Sequence, residues 1–126
     1  MQDESILINN YRWPSNIPVE NPVYRGIVFF VHDFTDYAGR NAHIAKEYSE
    51  LGYDFYAMDF RGHGKSKGKI GYFENIYTLV KDFEIYMDLV LQIYYCQHNG
   101  FQSNPPVFII AHGLGAMIVL IYLLNK

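Results

Sequence analysis

Eighteen consecutive residues, Val107 to Leu124, carry no formal charge, and their interior reads His112-Gly113-Leu114-Gly115. A run of that length and polarity fits two architectures. One is a membrane span; the other is a buried strand that turns tightly into a buried helix. The prolines at 105 and 106 and the glycines at 113 and 115 favour the second, because a loop entering a strand and a tight turn both use such residues and a span requires neither. The stretch therefore reads as a strand over Val107 to Ala111, a glycine turn, and a helix from about Leu114 onward. A tail anchor is the weaker reading, and membrane association is not favoured.

The preceding chain has the periodicity that such a unit needs around it. Ile6 to Trp13 reads as an edge strand, and Pro14 to Pro22, with three prolines, as a loop. Gly26 opens the continuous apolar run Ile27 to His32, the pattern of a parallel strand buried on both faces. A helix is expected from about Arg40 to Leu51, ended by Gly52, and a second buried strand over Tyr53 to Asp59. The glycine-rich loop Arg61 to Gly71 leads to Asn75, a helix N-cap. Behind it Ile76, Leu79, Val80, Phe83, Met87, Val90, Leu91 and Tyr94 recur at helical spacing, while Lys81, Glu84, Asp88 and Gln92 fall mainly on another face. His98 to Pro106 reads as a polar loop. Strands alternating with helices imply βαβ units, a mostly parallel sheet and helices on both of its faces, hence an α/β fold. No internal repeat divides the chain, and residues 1–126 are read as a single domain.

Composition removes several function classes. Half of the residues are hydrophobic, which excludes a disordered chain. Thirteen acidic and ten basic residues are scattered for a net charge of -3, leaving no basic stripe, so no nucleic-acid partner is expected. The N-terminal MQDESILINN has acids where a secretory signal has lysines, and the single cysteine, Cys96, forms no internal disulfide. Both point to an intracellular, cytoplasmic protein. Cys96 lies in an apolar helical run and is expected to be buried.

Four segments, in order, resemble the monoacylglycerol lipase and lysophospholipase branch of the α/β-hydrolase fold, the group that also carries the serine aminopeptidase name. FFVHDFTDYAGR (Phe29 to Arg40) is similar to the family's V-x-H-G-x-x-x-x-S-G-R turn, and GYDFYAMDFRGHGKSKG (Gly52 to Gly68) to its G-Y-x-V-x-A-x-D-x-R-G-H-G-x-S-x-G. GYFENIYTLVKDFEIYMD (Gly71 to Asp88) resembles the stretch entering the long helix, and PVFIIAHGLGA (Pro106 to Ala116) resembles P-x-F-L-x-G-H-S-M-G-G. The last is the nucleophile elbow, the turn that lifts a serine above the sheet.

The resemblance implies a serine hydrolase of lipid or other carboxylic esters, needing a serine, a histidine, an acid and two backbone N–H groups for the oxyanion. The two donors map to Phe34 and Leu114, with His32, Asp33 and His112 as neighbours. The nucleophile maps to Gly113, which has no side-chain oxygen and forms no acyl-enzyme. Asp33 stands where the family has glycine, placing a carboxylate beside an oxyanion hole. The triad's acid and histidine follow the serine in this fold, and the eleven residues after Gly115 contain neither. A complete fold of this type, with about eight strands at ~30 residues per βα unit, needs roughly 240 residues. The expectation is therefore the N-terminal half of an α/β-hydrolase fold: a catalytically inactive, truncated relative that serves as a structural or interaction subunit or is a fragment. The alternative is an ester hydrolase half completed by another polypeptide.

Other chemistries read more weakly. Gly64-Lys65-Ser66 matches the tail of a phosphate-binding loop, but that pattern needs glycine at position 59, which is Asp59. His32, His63 and His112 lie at strand ends on one side of the sheet, yet no ligand spacing supports a metal. No cofactor and no metal is expected. An acid-base pair of Asp33 and His112 would need no serine, and Asp33 reads more simply as a solvated loop acid. Val107 to Ala111 would form an apolar sheet edge, and the helix after it has no polar face except Tyr122, so another protein chain or a second copy is expected to cover both.

Overall fold

In the computed structural model, which describes residues 7–17, 23–97 and 105–126, the innermost strand is β2, Gly26–Val31, buried at every position. Its unbroken apolar run suits a strand covered on both faces. Ile27, Phe29 and Val31 join one core cluster, and Val28 and Phe30 join another. Strand β3, Tyr53–Met58, runs parallel to β2 on one side, and β4, Val107–Ala111, runs parallel on the other. Strand β1, Asn10–Trp13, pairs antiparallel with β3, so the order is β1-β3-β2-β4.

The α/β architecture and the edge position of β1 agree with the sequence reading, but β1 is shorter than Ile6 to Trp13. Ile6 lies outside the described residues. The ladder stops at Asn9 because, although Asp59 N still donates to Asn9 O (2.9 Å), Asn9 N donates to Ser66 Oγ (2.8 Å), and Lys67 N donates to Leu7 O (2.9 Å), which ties this end to the loop after β3.

Helix α1, Ala42–Glu50, packs on the Val28 and Phe30 face through Ile44, Ala45 and Tyr48. It begins two residues later than expected, because Ala38–Asn41 forms a tighter 3-10 turn that contains Arg40. Helix α2, Ile76–Gln97, and helix α3, Leu114–Leu124, cover the opposite face. Asn75 caps α2 as its residue type predicts, its Oδ1 accepting from Tyr77 N (2.9 Å) and Thr78 N (3.3 Å).

Two burial expectations are corrected. Cys96 is exposed; it lies two residues, or about 200° of helical rotation, beyond the buried Tyr94, on the outer face. Tyr122 is buried against Phe83 at a ring separation of 5.3 Å, so it faces inward and α3 turns Met117, Leu120, Leu123 and Leu124 outward. An apolar helix with no charged residue lacks the pattern that would orient it. Most of the loops read at Pro14 to Pro22 and His98 to Pro106, positions 18–22 and 98–104, lie outside the described residues. No described helix is long and apolar enough to cross a membrane.

A candidate active site at the ends of β2 and β4

Strands β2 and β4 end side by side, with Val31 opposite Ala111, so the loops leaving them face each other. The first loop is anchored by His32, which is fully buried. Phe60 N–H donates to His32 Nε2 (3.0 Å), so the ring proton resides on Nδ1 and donates to the Asp33 carbonyl (2.6 Å). Burial holds its pKa below the ordinary histidine value, keeping the ring neutral. His32 thus satisfies backbone groups, as its position suggests, and has no nitrogen left for a metal or a substrate.

Immediately beyond it the backbone is strained. Thr35 is the one non-glycine residue with positive φ among the described residues, at 63°; this left-handed conformation is costly for a β-branched side chain. The turn is closed by Asp36 N donating to Asp33 O (3.2 Å). Asp36 is buried and accepts from Tyr37 N (2.8 Å), Arg40 Nε (2.6 Å) and Asn41 Nδ2 (3.2 Å). The Arg40 hydrogen bond is the main reason its carboxyl is held down to about 2.

The second loop is the turn from β4 into α3, and Gly113 forms its vertex with φ 58° and ψ -121°. Glycine reaches this conformation without the Cβ penalty. The turn aims the first amide of α3 across the gap, where Leu114 N donates to Asp33 Oδ1 (2.8 Å). Phe34 N donates to the same oxygen (2.7 Å). The two N–H groups singled out from the sequence therefore converge on one carboxylate oxygen, and that carboxylate belongs to Asp33. A Cβ on Gly113 would overlap Oδ1 and Cγ of Asp33. Asp33 is not merely a solvated loop acid. The Leu114 and Phe34 amides, in that order, hold its carboxyl below the usual carboxylate range, with a smaller contribution from His112.

His112, unlike His32, does not turn its ring inward. Its backbone N–H bonds Val31 O (3.1 Å), but its side chain is 72% exposed, with Nδ1 4.0 Å from Asp33 Oδ2. His63 is buried; its Nδ1 donates to Arg61 O (3.1 Å), while Nε2 has no hydrogen-bond partner. Its ring stands 5.4 Å from that of His32 and 5.5 Å from that of Phe34. Among the described residues no group of three or more His, Cys, Asp or Glu side chains is arranged to hold a metal.

The glycine-rich loop after β3 is likewise filled from within. Asp59, fully buried, accepts from Ala38 N (2.7 Å), Asn9 Nδ2 (3.0 Å) and Lys65 N (3.0 Å), while Ser66 Oγ donates to its carbonyl (2.6 Å). The Lys65 amide and the Ser66 hydroxyl, which a phosphate-binding loop would turn to its ligand, are both bonded to Asp59, so the Gly64-Lys65-Ser66 turn is structural. Arg61, in the same loop, forms a two-point ion pair with Asp82 of α2 (2.8 and 3.0 Å).

A strand-turn-helix with this vertex, facing a second loop that supplies an N–H group, is the arrangement of a nucleophile elbow and its oxyanion hole. The family model described as Serine aminopeptidase, S33, matches residues 22–126. The chain belongs to the serine aminopeptidase S33 family. Within this α/β-hydrolase family it is monoacylglycerol lipase-like: it is 31% identical over 98 residues to the monoacylglycerol lipase of Mycolicibacterium smegmatis, covering 78% of this chain and 32% of that protein. It is 25% identical over 119 residues to the monoglyceride lipase of Homo sapiens, covering 94% and 35%. The chain thus spans about a third of the length of each. Among solved structures, a soluble variant of monoglyceride lipase from Saccharomyces cerevisiae, in complex with a substrate analog, superposes with a TM-score of 0.74 at 24% identity, over 97% of this chain and 36% of that one. A carboxyl esterase from Bacillus coagulans, in complex with glycerol, gives a TM-score of 0.72 at 25% identity, over 91% and 34%.

Proposed function

We propose that this chain is a catalytically inactive member of its family, retained for structure or protein interaction rather than for ester hydrolysis. The observation that carries this reading is Gly113 at the vertex of the elbow. Serine-based hydrolysis begins with an oxygen at that point attacking a carbonyl, and a glycine offers none. Another polypeptide supplying a histidine and an acid would still meet a vertex without a nucleophile.

The acid-base reading of Asp33 and His112 is weakened by the same geometry. A general base must be free to take a proton from water, and the developing oxyanion needs open donors. Asp33 spends one oxygen on both donors. It cannot fill the hole and serve it. What remains available is surface: Phe108 on β4, and Met117, Leu120, Leu123 and Leu124 on α3, are exposed apolar side chains on adjoining elements, the kind of face that marks a protein contact.

The test is a fluorophosphonate probe combined with hydrolysis of a short-chain ester. The purified chain is expected to remain unlabelled and to turn over no more ester than buffer. Covalent labelling of this chain, or turnover that disappears in Asp33→Ala or His112→Ala, would overturn the proposal and favour a residual hydrolase.

A further inference from the structure

We propose that Asp33 is the resident ligand of its own oxyanion pocket and that Asp33 and Gly113 form a mutually exclusive pair: the carboxylate fills the space that a side chain at position 113 would take. The inference deepens the non-catalytic reading and rests on it. A site missing only its nucleophile would be an open pocket, whereas this one is already filled by an anion.

Two observations carry the inference independently. The first is convergence. Phe34 N and Leu114 N, from different loops, bond the same oxygen, and the second bond joins residues 81 apart in sequence. Two N–H groups aimed at one point constitute a pocket for a negatively charged oxygen, and charge-assisted bonds of this kind are stronger than neutral ones. The second is exclusion, since any Cβ at position 113 would fall within the carboxylate group, so a side chain there must swing that carboxylate off both donors. The short side chain also makes the anion effectively intramolecular, so a free ligand competes at a disadvantage with a group already tethered beside the donors. The pocket suits a small monocarboxylate, and removal of Asp33 would leave both donors available to one from solution.

Thermal unfolding with sodium formate, against sodium chloride at matched ionic strength, provides the test. Asp33→Gly is expected to lower the unfolding midpoint and to recover it saturably with formate, while the unsubstituted chain responds alike to both salts. Should the glycine variant not fold, Asp33→Ala vacates the same pocket and is read in the same way. A double-mutant cycle tests exclusion separately. Gly113→Ala is expected to lower the midpoint by about 3 °C or more beyond its cost in the Asp33→Gly background, because the backbone strain of alanine is common to both and cancels. Asp33→Asn keeps the pocket filled with a neutral acceptor and should retain an alanine penalty smaller than that of the carboxylate. Equal responses of the vacated variants to formate and chloride, or an alanine penalty independent of position 33, would overturn the proposal. Fluorophosphonate labelling of the unsubstituted chain would instead defeat the non-catalytic reading and leave these stability results intact, so the two failures are distinguishable.

Discussion

The imidazole of His32 joins the end of β2 to the chain leaving β3, and it does so only while neutral. Because its folded pKa lies below the ordinary 6.5, folding must exclude a proton that the unfolded chain binds. Its stabilising contribution is complete above the unfolded value and is lost as pH falls through the folded one. Urea midpoints are therefore expected to decline as pH drops below 6.5. His32→Leu should flatten that slope and cost about 1–3 kcal/mol at higher pH, by leaving the Phe60 N–H buried without an acceptor. An unchanged slope in the variant would show that another group titrates. At this scale the residues of the elbow were legible in the sequence because backbone N–H groups follow from motif spacing. The seat of Asp33 was not legible. Its orientation depends on a donor 81 residues away, and a single carboxylate after a strand looks the same in sequence whether it faces water or an amide.

Among elements, α2 binds the glycine-rich loop to the rest of the fold. The Arg61–Asp82 pair has little exposure at either partner and is held by two charge-assisted hydrogen bonds, which are stronger than neutral ones. Asp82→Ala is expected to destabilise the chain by about 2–3 kcal/mol through the lost charge-assisted hydrogen bonds, whereas Asn75→Ala at the exposed start of α2 should cost about 1 kcal/mol. Chemical denaturation reads both, and equal costs would contradict the difference in burial. The bounds of β4 and the starts of α2 and α3 could be read from apolar runs, the Asn75 cap and the glycines. Which way α3 faces could not, because its side chains are apolar all round. Packing into the core, where Ile118, Val119 and Tyr122 are buried and Tyr122 meets Phe83, decides that Tyr122 goes in and Leu120 goes out.

For the whole molecule, the balance of covered and uncovered surface is uneven. Strand β4 has β2 on one side and, among the described residues, no strand on the other. Its first two residues, Val107 and Phe108, are exposed, and the neighbouring helix shows Leu120 at 61% and Leu124 at 84%. An unpaired strand edge beside large apolar side chains is a template for association. The purified chain is expected to associate with rising concentration in light scattering, and Phe108→Lys with Leu120→Lys should reduce that association. A monodisperse, cooperatively unfolding monomer at all concentrations would contradict the prediction.

The β2–β4 register also orders events in time. Strand β2 meets β3 across one short helix, with Gly26 opposite Tyr53, but it meets β4 only after a second, longer helix, with Ile27 opposite Val107. Closing the larger loop costs more chain entropy and is slower. On a ribosome the first pairing becomes available while the fourth strand is still unsynthesised. The bond from Leu114 to Asp33 needs β4 in register, so the pocket closes only after β2 and β4 have paired, and its closure reports that pairing.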